Sequence, residues 1–333
     1  MSDAILFVSF GGPDQPADVM PFLENVTRGR GIPRERLEVV AGHYLHFGGK
    51  SPINDQNLAI IASLTRLLAQ QGPDLPVYFG NRNWHPLLND TFTQMQQDGV
   101  TRVFAFVTSA FSCYSGCRQY RENIYAAQTS TGTESIVIDK LRVYFNHPGF
   151  IDPLVDHLKA ALAKSPNARV VFTAHSVPMW MAAGSKYVAQ LNEAATLVAE
   201  GAGVGKWDLV YQSRSGAPNQ PWLEPDILDH MRSLHSQGTN DIVICPIGFI
   251  SDHMEVLYDL DEEAHLLAKE LGMNMQRTST SSSDPRFAAM IRELVLERRG
   301  DLLTRISLGS MGASHDVCPV DCCPPPPARP TAR

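Results

Sequence analysis

RVVFTAHSVP, residues 169–178, decides how the rest of the chain is read. Val170, Val171 and Phe172 are β-branched or aromatic, and the run is bounded by an Asn/Ala turn before it and by Pro178 after it. That composition predicts a short buried strand of an open parallel sheet. His175 then stands at the carboxyl end of the strand, the edge at which open α/β sheets bind ligands. A histidine packed into a core or loop is the competing reading.

Upstream of this strand, residues 4–10 predict a first strand closed by the Gly11-Gly12-Pro13 turn, and residues 17–26 a helix. Helices follow at 34–47 and 54–71, strands at 77–79 and 103–107 with a helix near 86–97 between them, a fourth strand at 136–145, and a helix at 151–163. Downstream, helices at 179–200, 224–236, 252–271 and 284–298 alternate with strands at 209–212, 242–246 and 274–276. Such alternation is the signature of βαβ units, so the predicted class is α/β, with about four parallel strands flanked by helices in each half. Residues 1–150 form the first half, 151–306 the second, and 307–333 a cysteine- and proline-rich tail in which order is expected to decay. Both halves open alike, ILFVSFGGP against VVFTAHSVP, which points to duplication.

The 333 residues are 44% hydrophobic and 19% charged, a globular composition, and the length accommodates two domains. With 35 acidic and 28 basic side chains the net charge is −7, which leaves no broad positive field for nucleic acid. The first apolar run is short, follows Asp3 and lacks a basic leader, so it predicts a strand and a cytoplasmic protein rather than export. The charge-free stretch 103–117 is shorter than the ~20 residues of a membrane span, so no integral membrane segment is expected. Six cysteines in such a chain point to metal or redox chemistry rather than a disulfide scaffold.

A second anchor, PIGFISDHME at 246–255, mirrors the first: a strand feeds a loop and then a helix. Asp252 to Glu255 has capping-box spacing, which would fold the Glu255 side chain back onto the helix N-terminus. Against that stand Glu255, Asp259 and Glu263, four apart, which put three mutually repelling carboxylates on one helix ridge. His175 and Glu255 come from equivalent edges of one sheet. An imidazole and a carboxylate facing each other form an open, ligand-poor site suited to Fe(II) or Zn(II) in transit.

Seven ordered motifs carry a family resemblance: FGGP at 10–13, HYLHFGGKSPI at 43–53, GNRNWHP at 80–86, YSGCRQYRENI at 114–124, TAHSVP at 173–178, YQSRSGAPNQPWLEPD at 211–226 and PIGFISDHMEVLYDLDEE at 246–263. On these the chain resembles the ferrochelatases, which insert ferrous iron into a porphyrin. The resemblance implies two Rossmann-like, chelatase-type domains facing each other across a cleft. It implies His175 and Glu255 as the catalytic, iron-facing pair, with Asp259 and Glu263 as an outer acidic line for metal or protons. Ser51 and Tyr120 fall where the family binds porphyrin, and Arg28, Arg30, Arg118 and Arg121 are candidate cations for propionates. Two positions depart from some relatives: Phe10 replaces a tyrosine that reaches iron, and His43-Tyr44 replaces Arg-Tyr, so Phe10 and Tyr44 would contact the ring differently. Met179-Trp180-Met181 is either ring-contacting surface or a buried helix face.

FLENVTRGRGIPRERL resembles the actinobacterial members, which implies coproporphyrin III as substrate, with protoporphyrin IX as the alternative. A carrier of haem or iron without turnover is the rival from another class. Other enzymes of haem synthesis are implied partners. Some relatives hold a [2Fe-2S] cluster through one internal and three C-terminal cysteines, which here implies Cys117, Cys318, Cys322 and Cys323. Zinc on the tail thiolates and His315 competes, as does a tail that binds nothing. Cys113 is left over, and Cys245 reads as a packed core thiol.

Overall fold

The computed structural model describes residues 2–29, 31–216 and 219–327. Arg30, one of the candidate cations, lies outside them, as does the tail beyond Pro327. The first half runs β1 (Ser2–Ser9), α1 (Val19–Val26), α2 (Arg34–His46), α3 (Ile53–Gln71), β2 (Val77–Asn81), α4 (Leu88–Gln97), β3 (Val100–Val107), α5 (Gln119–Thr131) and β4 (Val137–Lys140). After α6 (Pro148–Leu162) come β5 (Arg169–His175), α7 (Met179–Ala183), α8 (Tyr187–Gly201), β6 (Trp207–Gln212), α9 (Ile227–Ser236) and β7 (Asp241–Cys245). A single turn, α10 (Met254–Val256), opens into a π-helix at Leu257–Ala264 and continues as α11 (His265–Leu271), followed by β8 (Asn274–Arg277) and α12 (Pro285–Arg299).

All strands are parallel, and the two sheets have the same order, β2-β1-β3-β4 and β6-β5-β7-β8. The predicted fold class holds, and the apolar openings noted in the sequence become the equivalent inner strands β1 and β5. Both are buried on both faces, as near-continuous apolar runs require.

Several predicted elements differ. The fourth strand stops at Lys140, because Leu141 makes the last sheet bond and Arg142 turns inward to form a fork with Glu297 of α12 (2.8 and 2.9 Å). The helix predicted over 179–200 breaks after Ala183, where Gly184 lies so close to Pro324 that a Cβ would stand 2.9 Å from the ring. A π-turn at Tyr114–Arg118 and all of α5 went unpredicted. The signal existed, since Tyr120, Ile124 and Ala127 are the buried face of α5 at helical spacing, but polar residues dilute it.

The largest core is shared by both halves. Phe7, Phe104 and Phe106 of the first sheet belong to one apolar cluster with Phe172 and Val243 of the second and with Phe287 of α12. Phe106 has Phe7 and Tyr144 at 5.2 Å and Phe287 at 6.2 Å, arrangements that add to simple area burial. α12 thus returns from the second half to pack on α3 and α6.

The sheets present their carboxyl edges to each other, as the contacts between the halves show. Gln56 of α3 exchanges two hydrogen bonds with the Asp252 backbone (2.9 and 3.2 Å), and His43 of α2 stacks on Tyr258 at 3.7 Å. Ser115, beyond β3, reaches the Met181 sulfur on α7 at 3.5 Å.

Candidate active site

β5 delivers His175 to its carboxyl edge, and three contacts fix the residue there. The Tyr187 hydroxyl donates to the His175 carbonyl (3.0 Å), and Nδ1 donates to the Ser176 carbonyl. Nε2 faces Glu255 Oε1 at 3.6 Å. A donor bond at Nδ1 leaves Nε2 as the nitrogen that can accept a proton or a metal. Burial of the ring opposes its charge, but the Glu255 carboxylate, the Ser176 carbonyl and Asp259 outweigh it and push the pKa up to about 9. Burial likewise opposes the Glu255 charge, yet His175 holds its pKa down at about 2. The side chains are still 31% and 49% exposed, so the pair is open to a reactant.

Glu255 is not half of a capping box. The cap is His253, whose Nδ1 accepts the Glu255 N–H (3.2 Å), while the Asp252 carboxylate is taken by Arg277 (2.9 Å). The Glu255 side chain is thereby released toward His175, with the His253 ring 4.0 Å from its other oxygen. Sequence reading gave His253 no role in the site.

The acidic ridge runs onto the π-helix rather than a regular α-helix; π segments concentrate at functional sites. Asp259 Oδ2 accepts from the Ser213 hydroxyl and from Gln212 Nε2 (3.2 Å). Ser213 holds a left-handed backbone, φ 61°, to make this bond. Burial raises the Asp259 pKa to about 7; the Ser213 bond lowers it, and the neighbouring Glu255 and Glu263 charges raise it further. Glu263 is raised as well, by burial and then by Asp226.

On the opposite side, Phe10 follows β1 and remains 36% exposed, packed edge-on to Phe22 at 6.3 Å. Ser51 is 2% exposed beneath the Gly11-Gly12-Pro13 turn; a Cβ on Gly12 would come 2.7 Å from its own Cβ, so that turn needs glycine. Tyr44 of α2 packs on Phe22 (5.9 Å), and burial, then the Glu255 charge, push its phenol upward. Tyr120 is buried under the Arg82 guanidinium, 4.3 Å from the ring centroid. Arg28 is exposed and lines a surface pocket with Asn25, Trp84 and His85, away from the other candidates. Arg82 went unremarked in the sequence, although a cation just beyond a strand was legible in GNRNWHP.

The tail does not fray as expected. Asn146 Nδ2 holds the Leu308 and Gly312 carbonyls (3.0 and 2.9 Å), Glu193 accepts the Ser310 and Met311 N–H groups, and Arg118 reaches the Val320 carbonyl at 3.3 Å. These contacts bring Cys318 and Cys323 to Cys117, whose thiol accepts from both and is thereby pushed down while theirs are pushed up. Cys322 lies 3.7 Å from Cys323 and 3.9 Å from His315 Nε2. The adjacent pair can turn inward together because Cys323 takes a left-handed backbone, φ 52°. Four convergent thiols suit a tetrathiolate iron or zinc centre, and His315, Cys318 and Cys322 alone already have metal-ligand spacing. Cys113 stays apart as a helix cap, and Cys245 is buried in β7.

No helix among the described residues is long and apolar enough to cross a membrane. A sequence profile of the ferrochelatase family matches residues 2–299. The chain is 53% identical to the coproporphyrin III ferrochelatase of Streptomyces coelicolor, over 99% of this chain and 95% of that one. It is 54% identical to the ferrochelatase of Rhodopirellula baltica, over 98% and 95%, and 51% identical to the coproporphyrin III ferrochelatase of Nocardia farcinica, over 97% of each. Among solved structures, SirB from Bacillus subtilis with Fe3+ shares the fold at a TM-score of 0.54 and 15% identity, covering 90% of this chain and 98% of that one.

Proposed function

The chain belongs to the ferrochelatase family, and from that premise we propose that it inserts ferrous iron into coproporphyrin III in the synthesis of haem. The naming of its actinobacterial relatives supports this substrate over protoporphyrin IX. The observation that carries the mechanism is the His175–Glu255 pair, 3.6 Å apart at the sheet edge with Nδ1 already committed.

Insertion exchanges two pyrrole protons for Fe(II), so the site must take up protons beside the ring and tolerate a dication. His175 Nε2 is the group placed to accept a proton or meet the metal, and Glu255 neutralises whichever cation is present. Asp259, with a pKa near neutrality, passes protons between this pair and the outer carboxylate Glu263. Phe10 offers a ring face and no oxygen to the iron. Tyr44, Ser51, Tyr120 and Arg28 remain the candidate contacts of the macrocycle and its carboxylates.

Cys117, Cys318, Cys322 and Cys323 hold a [2Fe-2S] cluster in this reading, supported by the convergence of the four thiols. Such a cluster supplies a one-electron redox centre when bound. An absorption spectrum of protein purified without air distinguishes it from zinc on His315 and the thiolates, which is colourless. Residence in the cytoplasm fits the use of the first apolar run as a buried strand, not a leader.

The test of function is anaerobic assay with Fe(II) and each porphyrin. Many turnovers with a higher kcat/KM for coproporphyrin III are expected. A stop at one equivalent would mark a carrier, and equal or reversed preference would return the substrate to protoporphyrin IX.

A further inference from the structure

Arg82 stands one residue beyond the carboxyl end of β2, and its backbone is stitched to the turn that carries Phe10. Its own N–H donates to the Ser9 carbonyl (3.0 Å), and that of Asn83 to the Phe10 carbonyl (3.1 Å). The guanidinium lies 4.3 Å from the Tyr120 ring centroid and 5.7 Å from that of Phe10. Nε donates to Asn123 Oδ1 at 2.6 Å, and Nη1 makes a longer contact, 3.4 Å, with the Ser115 carbonyl. Stacking on rings and a bond at Nε fix the plane of the cation without neutralising it. Ser115 also reaches Met181, two residues into the helix that follows His175, so Arg82 sits where the two halves meet.

We infer that Arg82 is a carboxylate receptor of the substrate site, forking onto one peripheral carboxylate of the macrocycle. The inference rests on the proposed reading only in taking the ligand to be a carboxylated porphyrin. A guanidinium held in plane matches a carboxylate in two parallel hydrogen bonds, which gives orientation as well as affinity. Arg28, exposed beside Trp84 and His85, has no such preparation. Tyr120 and Phe10 then act partly through Arg82, as the rings that hold it.

Fluorescence titration with coproporphyrin III and with an alkyl porphyrin lacking carboxylates tests this on wild type, Arg82→Gln, Arg82→Lys and Arg28→Gln. Arg82→Gln should weaken coproporphyrin III by about tenfold or more, as loss of a charge-assisted pair does, and leave the alkyl porphyrin unchanged. Arg82→Lys should fall between, and in the insertion assay KM should rise far more than kcat falls. Equal losses for both porphyrins, no loss, or a larger selective loss in Arg28→Gln would overturn the inference. Should Arg82→Gln fail to fold, Arg82→Lys, which keeps stem and charge, gives the same comparison. Wild-type protein that binds coproporphyrin III through Arg82 but inserts no iron would sink the proposed function and leave Arg82 standing.

Discussion

With Nδ1 committed to the Ser176 carbonyl, His175 has one nitrogen left for chemistry, and Glu255 sets its proton affinity. A histidine raised to about 9 supports the fold fully below its ordinary value, and that support is lost as the pH rises through about 9. A glutamate lowered to about 2 supports it above its ordinary value, and that support is lost as the pH falls through about 2. Glu255→Gln should therefore drop the His175 pKa to below its ordinary value, because burial remains when the attraction has gone; an NMR titration still centred near 9 would contradict the pairing. Iron insertion should fall by about 100-fold or more in the same variant. Cys245, with its thiol pushed up to about 12 by burial, should resist alkylation in the native protein, as mass spectrometry can check. His175 and Glu255 were legible because each follows an apolar strand into a polar turn. Arg82, Gln212 and Ser213 were not, because their partners lie 41, 47 and 46 residues away and only tertiary packing joins them.

The π-helix sets Asp259 between Glu255 and Glu263, a position that works against the ionised side chain. An aspartate raised to about 7 destabilises the fold when ionised, fully above about pH 7 and not at all well below its ordinary value. Asp259→Asn should accordingly raise Tm above pH 7, leave it unchanged near pH 3, and slow insertion throughout. A variant that melts earlier at pH 8 would show that the Ser213 and Gln212 bonds matter more than the buried charge. The ridge itself was legible at four-residue spacing, but its π geometry was not, since nothing in LYDLDEEA differs in kind from an ordinary helix. The end of β4 was misread for a related reason. Val143, Tyr144 and Phe145 are apolar because they line the shared core, and their composition alone does not separate a core loop from a strand.

At the scale of the whole molecule, one apolar core serves both sheets, so the halves should not melt separately. Calorimetry should give a single transition, and Phe287→Ala should cost about 3–5 kcal/mol, because the ring packs on Phe106 and Tyr144 of the first half. Two resolved transitions would show that the shared cluster does not couple the halves. Two parallel sheets of equal size were legible from the alternation of strands and helices. The return of α12 and the tail onto the first half was not, because the buried Arg142–Glu297 fork and the Asn146 contacts join residues far apart in sequence. The tail's course also has a consequence for how the protein is made. Cys117 and Cys323 are 206 positions apart, the difference of their numbers, and at about 5–20 residues per second the ribosome delivers the last thiol roughly 10–40 seconds after the first. Throughout that interval Cys117 has neither its partner thiols nor the chain that covers them, which makes it the most oxidisable point of the nascent protein and metal loading at the nest the closing event of its maturation.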